Sequence, residues 1–347
     1  MTDFEKLLSA HGLDTLLISS PANVRYLSGF TNPKDGQVIV NNTGALLLTD
    51  GRYTVQAGQE SRLPVRIAGR EERPQVYAEL LQGRIGFEAM GLSYGQLEAL
   101  RQQAPGEWVP TYDLIERQRV HKTPEEIGHI RQAAALADRA FAHILPFLKP
   151  GVREIDIALE LEFFLRKNGA EGVAFDTAVV SGPRTAMPHG SPSERVLQAG
   201  DLVTLDFGAV IEGYCSDMTR TVGIGAVSEE LKRIYAAVLE AQERALEAVA
   251  PGKTGQELDA LARGILEDRG YGQYFSHGLG HGVGLLIHEA PSLNKVSQEV
   301  LEAGMVITIE PGVYIPDLGG VRIEDLVLVT ERGYEVLSQT PKAWLEL

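Results

Sequence analysis

Asp206, Asp217, Glu310 and Glu324 each lie in or beside a run of Val, Ile and Leu of the kind that forms a buried strand. One acid in such a place reads as a solvated strand end; four at matched positions do not. Asp206 and Asp217 flank Ile211-Glu212-Gly213. A two-residue turn centred on Ile211-Glu212 sets the two aspartates directly opposite each other on one face. A three-residue turn with a bulge would loosen that pairing by one position. Glu310 and Glu324 are equidistant from Asp317, inside the turn signal Pro316-Asp317-Leu318-Gly319-Gly320. An odd-membered loop there again sets both carboxylates on one side. Carboxylates crowded in this way cannot all stay ionised, because like charges raise one another's pKa. Two divalent cations would balance the four charges.

Of the eight histidines, three fall in the glycine-rich segment SHGLGHGVGLLIHE: His277, His281 and His288. Glycines let the backbone approach a neighbour closely, and His281, at the centre, is the natural nitrogen ligand. The segment is neither HExxH nor GxGxxG. An oxygen-rich donor set with one imidazole suits Mn²⁺, Co²⁺, Zn²⁺ or Fe²⁺ better than thiolate-seeking ions. His189, in MPHG after a Gly-Pro-containing loop, could approach from the opposite side. His11, His121, His129 and His143 read as structural.

The elements that must carry these groups repeat. FLKPGVREIDIALELEFFLRKNGAE returns in outline as AVAPGKTGQELDALARGILEDRGYG, with Pro150-Gly151 recurring as Pro251-Gly252, 101 residues on. LQAGDLVTLDFG returns as LEAGMVITIEPG, 104 residues on, with Asp206 falling on Glu310. Each copy is a helix, a Pro-Gly turn, a helix closed by glycine and a strand bearing a carboxylate. Packed about a pseudo-twofold axis, the copies would face their carboxylates toward one centre. Upstream, Thr15–Ser19, Gln37–Val40 and Ala45–Leu48 read as strands, and Tyr53–Ser61 and Pro74–Gln82 as helices, giving a modest α/β domain. A boundary follows at His121-Lys122-Thr123-Pro124-Glu125-Glu126. Thr123 can cap a helix, Pro124 suits its first turn, and Glu126 closes a capping box.

At 347 residues the chain is long enough for two domains. With 47 acidic against 32 basic side chains and a net charge of −15, neither nucleic acid nor an anionic membrane is an expected partner. The lone Cys215 reads as a small buried hydrophobe in a reducing compartment. Residues 1–6 are acidic without an apolar core, so no signal peptide is expected. A cytoplasmic protein is the expectation.

Taken together, these segments resemble the Xaa-Pro peptidases, the prolidases and aminopeptidase P that share the pita-bread fold. The similarity spans nearly the whole chain. It is carried by RYLSGF and DGRYTVQAG in the first domain and by AFDTAVVSGPRTAMPHG, LDFGAVIEGYCSDMTRTV, GLGHGVGLLIHE, MVITIEPGVYI and GVRIEDLVLV in the second. The resemblance implies an α+β protein. A smaller N-terminal α/β domain, residues 1–119, would serve dimerisation and substrate access, ahead of a pseudo-symmetric pita-bread catalytic domain, residues 120–347. It implies two divalent cations on Asp206, Asp217, His281, Glu310 and Glu324, with Mn²⁺ or Co²⁺ leading and Zn²⁺ or Fe²⁺ as alternatives. It further implies that Glu310 shuttles a proton, that His288 stabilises the oxyanion and that His189 positions the substrate, with Arg322 close by.

The implied activity is hydrolysis of the bond before proline. Xaa-Pro dipeptidase leads, with aminopeptidase P action on longer peptides as the alternative, in a homodimer whose 31–37 loop borders the other subunit's site. One departure stands out: HEAPSL has Ser292 where many prolidases carry arginine in HExPR. The substrate carboxylate would then fall to Arg322 or to the 31–37 loop of a partner subunit. Creatinase, which lacks the metal carboxylates, is the disfavoured rival, as are methionine aminopeptidase, which lacks the first domain, and a binding module with eroded ligands.

Overall fold

The computed structural model describes residues 3–347, so the start of the 1–6 segment lies outside the described residues. The chain divides into two compact units, the first ending at Arg119 and the second running Val120–Leu347.

The first unit is built on a six-stranded sheet. Its spatial order is Val65–Ile67, Gly44–Thr49, Gln37–Asn41, Thr15–Ile18, Arg84–Glu88 and Glu107–Thr111. The strand Thr15–Ile18 is buried throughout; it runs antiparallel to Gln37–Asn41 and parallel to Arg84–Glu88. The three strands read from sequence are present, and the two helices appear as Thr54–Glu60 and Arg73–Leu80. Sequence reading passed over the helix Pro21–Ser28. It starts on Pro21 and stops where Gly29, at φ 79°, returns its N–H to the Arg25 carbonyl.

The second unit opens with the helix Pro124–Ile144, capped by the reciprocal Thr123–Glu126 box. Its Ala-rich face packs with the helix Glu154–Lys167 over the strands Ala178–Ser181, Leu202–Phe207 and Met218–Gly223. The second half repeats this plan. The helices Glu229–Glu247 and Gly255–Asp268 cover Gly280–Gly282, Val306–Ile309 and Asp325–Thr330. The repeat seen in the sequence is therefore a repeat of helix pair on sheet. The halves join where the strand Met218–Gly223 lies beside residues 322–325. Glu324 N–H donates to the Thr219 carbonyl (3.2 Å), and the Thr221 hydroxyl to the Arg322 carbonyl (3.0 Å).

One register differs from expectation. The turn after Leu202–Phe207 is centred on Glu212-Gly213, with Ile211 paired to Tyr214. Asp206 consequently sits opposite Thr219, not Asp217. Glu212 and Gly213 have φ 48° and 82°, as a primed two-residue turn requires. Gly213 supplies the freedom such a turn demands, and a centre on Ile211 would force a β-branched residue into the left-handed region. The displacement is even, so both aspartates keep a common face. In the second half the hairpin is centred on Asp317 (φ 63°), with Gly312 opposite Arg322 and Ile309 opposite Asp325. That register brings Glu310 and Glu324 level with each other.

Candidate metal centre

Each acidic side chain stands where a strand ends or breaks. Asp206 lies near the end of Leu202–Phe207, Asp217 in the gap before Met218–Gly223, Glu310 between Val306–Ile309 and Gly312–Ile315, and Glu324 between Gly319–Arg322 and Asp325–Thr330. A break frees the local backbone from the ladder and lets a carboxylate turn toward the interior. His281 sits on Gly280–Gly282, pressed against two neighbouring strands. A Cβ on Gly280 would lie 2.1 Å from the Thr308 carbonyl oxygen, and one on Gly282 2.1 Å from that of Ala290. Glycine on both sides is what permits the imidazole to stand there.

Asp217, His281 and Glu324 bring one ligand atom each within 4.8 Å of one another, close enough to hold a single ion. Glu310 is adjoining: its Oε1 lies 3.3 Å from His281 Nε2 and accepts from the Thr308 hydroxyl (3.1 Å). Asp206 is held from behind, with Oδ2 accepting from Arg322 Nη2 at 2.6 Å. All five line one cavity of about 540 Å³, together with His189, His277, His288 and Arg322. The His281 Nδ1–H donates to the Gly282 carbonyl (3.1 Å), which turns Nε2 toward the carboxylates as the candidate ligand atom, 3.3 Å from Glu310 and 3.6 Å from Asp217. His288 stands beside it, ring centroids 4.3 Å apart.

Two buried carboxylates outside this set organise the loops that bear histidines. Glu154, fully buried, accepts from Ser181 N–H (2.7 Å), Ser193 N–H (3.0 Å) and Arg184 Nε (3.1 Å), pinning both ends of the loop that presents His189. Glu289 follows His288 directly. Arg322, buried, divides its donors among Asp206, Tyr314 (2.7 Å), Thr219 (3.0 Å) and the Pro188 carbonyl (3.3 Å). The Tyr314 hydroxyl in turn donates to His277 Nε2 (2.9 Å). Sequence reading missed Tyr314, Thr219 and Thr308. Tyr314 was detectable, since strand alternation from Glu310 places it on the same face.

Burial and the neighbouring Glu324, Asp206 and Glu310 push the Asp217 carboxyl well above its ordinary 3.8. Burial, Glu310 and Asp206 push Glu324 well above 4.5. Burial raises Asp206 as well, against the opposing pull of Arg322. For Glu310 burial is outweighed by His281, which holds it below its usual value. Burial depresses the His288 imidazole, and His281 adds to the effect. The protein's own charges thus leave Asp217 and Glu324 uncompensated, and the oxygen-rich set around one imidazole nitrogen fits divalent cations of the Mn²⁺–Zn²⁺ kind.

A pH signature follows. A carboxyl whose pKa is raised by folding adds stability at pH below its unfolded value. That contribution is lost as pH climbs through the folded value. Without metal, Asp217 and Glu324 therefore weaken the fold increasingly above their ordinary 3.8 and 4.5. A cation held by these two carboxylates would displace their protons and remove the penalty. The rise in Tm produced by saturating Mn²⁺ is expected to be larger at pH 8 than at pH 5, with proton release during titration. A Tm increment independent of pH would contradict this.

Comparison with known proteins places this geometry in a family. Residues 128–331 match the model of metallopeptidase family M24, and residues 1–121 that of the creatinase/prolidase N-terminal domain. The chain belongs to the M24 metallopeptidases. It is 43% identical over 343 residues to an Xaa-Pro dipeptidase of Pyrococcus furiosus, covering 98% of this chain and 97% of the relative. Among solved structures, an Xaa-Pro dipeptidase from Bacillus anthracis superimposes with a TM-score of 0.95 at 45% identity, over 99% of both chains. An X-Pro aminopeptidase from Thermotoga maritima superimposes at 0.90 and 38% identity, over 100% of both. The pita-bread architecture with its preceding smaller domain is thus the fold of this protein. No helix among the described residues is long and apolar enough to cross a membrane.

Proposed function

We propose that this protein is an Xaa-Pro dipeptidase that works with two divalent cations, held by Asp206, Asp217, His281, Glu310 and Glu324. The observation that carries the reading is the convergence of four carboxylates on one imidazole inside a single cavity, in a chain 43% identical along nearly its whole length to a named Xaa-Pro dipeptidase. When bound, the cations polarise the scissile carbonyl and lower the pKa of a water.

The protein's own groups supply the rest. The bond before proline is a tertiary amide, so its nitrogen must gain a proton as it leaves. Glu310 accepts a proton from the attacking water and returns it to the prolyl nitrogen. His288, held neutral, donates to the oxyanion that forms on the carbonyl oxygen. His189 orients the peptide from the opposite side. Arg322 aligns Asp206 and, with Tyr314, stiffens that wall. The cations are Mn²⁺ or Co²⁺ in this reading, the setting is the cytoplasm, and the working form is a homodimer whose first unit guards access.

The test is proline release from Leu-Pro and Met-Pro with added Mn²⁺ or Co²⁺, beside Xaa-Pro-Yaa tripeptides. Dipeptides should be cleaved, and EDTA should abolish cleavage. Failure to cleave either class under any metal would end the proposal.

A further inference from the structure

The loop that carries His288 closes around a charge pair that the scheme above does not use. Residues 283–288 join the strands Gly280–Gly282 and Glu289–Leu293, whose pairing slips between His281 and Gly282. The slack forms a curl. Gly284 N–H donates to the Leu286 carbonyl (3.0 Å), and Leu286 N–H points back to Glu289 Oε2 (3.4 Å). A Cβ on Gly284 would lie 2.3 Å from Glu289 Oε1, so this carboxylate fills the curl from within. Its counter-ion is Lys122, whose Nζ lies 2.8 Å from Oε1; the two side chains are 1% and 9% exposed. Lys122 is itself anchored, its N–H donating to the Gly304 carbonyl (2.9 Å) and its Nζ to that of Val120 (3.2 Å). The other half of the unit solves the same problem alike, with Glu154 and Arg184 holding the loop of His189.

We propose that Lys122 and Glu289 are positioning residues. By fixing the curl, the pair holds the His288 imidazole against His281 and facing the cavity. The inference rests on the Xaa-Pro hydrolase reading, in which His288 touches the substrate. Removing one partner of a buried pair leaves a buried charge uncompensated, whereas replacing both with apolar side chains is tolerated. That asymmetry separates positioning from mere stability.

The experiment measures kcat, KM, Tm and bound Mn²⁺ for the full chain, with Leu-Pro as substrate. The set is wild type, Lys122→Met, Lys122→Arg and the double variant Lys122→Met/Glu289→Leu. Lys122→Met should lower kcat by about 10²-fold, the cost of a misplacement near 1 Å, with bound Mn²⁺ unchanged. Lys122→Arg should recover most of the loss. The double variant should regain Tm but not kcat. A double variant that regains kcat along with Tm overturns the inference, as does a Lys122→Met protein with wild-type kcat. If Lys122→Met does not fold, the arginine and double variants decide on the same criteria. A wild type inactive on all Xaa-Pro peptides would strike the parent reading instead, so the two failures are distinguishable.

Discussion

Replacing Asp217 by asparagine is expected to move activity and stability in opposite directions. Asp217 is buried, and Glu324, Asp206 and Glu310 all oppose its ionisation. Asparagine keeps the shape and removes the charge. With metal present, loss of an anionic ligand should lower kcat/KM about 10³-fold, comparable to removing a preorganised transition-state contact. Without metal, the same change relieves repulsion among the remaining carboxylates. The metal-free variant should therefore melt higher than metal-free wild type at pH 8, by roughly 2–4 °C for each ~1 kcal/mol recovered. Kinetics with Leu-Pro and thermal melts in EDTA check the two halves. Wild-type turnover would show that Asp217 is not a ligand, and a lowered metal-free Tm would show that the crowding is not costly. Sites built for chemistry commonly store such a conflict between function and stability.

The second large effect is expected behind the site, at Arg220, among the largest fully buried side chains. Its Nη2 donates to Asp325 Oδ1 (2.8 Å) and to the Thr340 carbonyl (2.7 Å). Its Nη1 donates to the carbonyls of Thr219 (3.0 Å) and Glu324. Asp325 also accepts from Lys342 (2.7 Å) and Gln242 (3.0 Å). Arg220→Met leaves several buried acceptors without a donor and removes a cation from a buried acid. Breaking such a pair costs about 3–5 kcal/mol, a fall in Tm on the order of 10 °C for a domain of this size. Because the arginine grips the Glu324 backbone, Mn²⁺ affinity should fall as well. Denaturant unfolding and Mn²⁺ titration check the two effects. A variant with unchanged midpoint and affinity would show that Lys342 and Gln242 suffice.

Much of this arrangement was legible before any coordinates. The Thr123–Glu126 box announces the helix that opens the second unit because its signal is local. The two repeats are visible because equal folds need equal Pro-Gly turns and Gly-bounded strands. The turn at Asp317 was centred correctly because Pro316 and Gly319 bracket it. The turn at Glu212-Gly213 was misplaced by one residue because glutamate rarely takes a positive φ, so its place there carried no signal. What stayed hidden depends on contacts distant in sequence. Lys122 meets Glu289 across 167 residues, and no periodicity or motif foretells which lysine will neutralise a buried glutamate. The pairing of Arg322 with Asp206 rather than with solvent has the same origin.

The doubled plan of the second unit makes its centre a joint property of two halves. Either half alone, one helix pair on one sheet, holds two of the four acids: Asp206 with Asp217, or Glu310 with Glu324. The full donor set assembles only where the halves meet, so damage to the packing of either half disturbs the whole centre. The two contributions are unequal, because His281, the one imidazole among the five candidate ligands, comes from the second half.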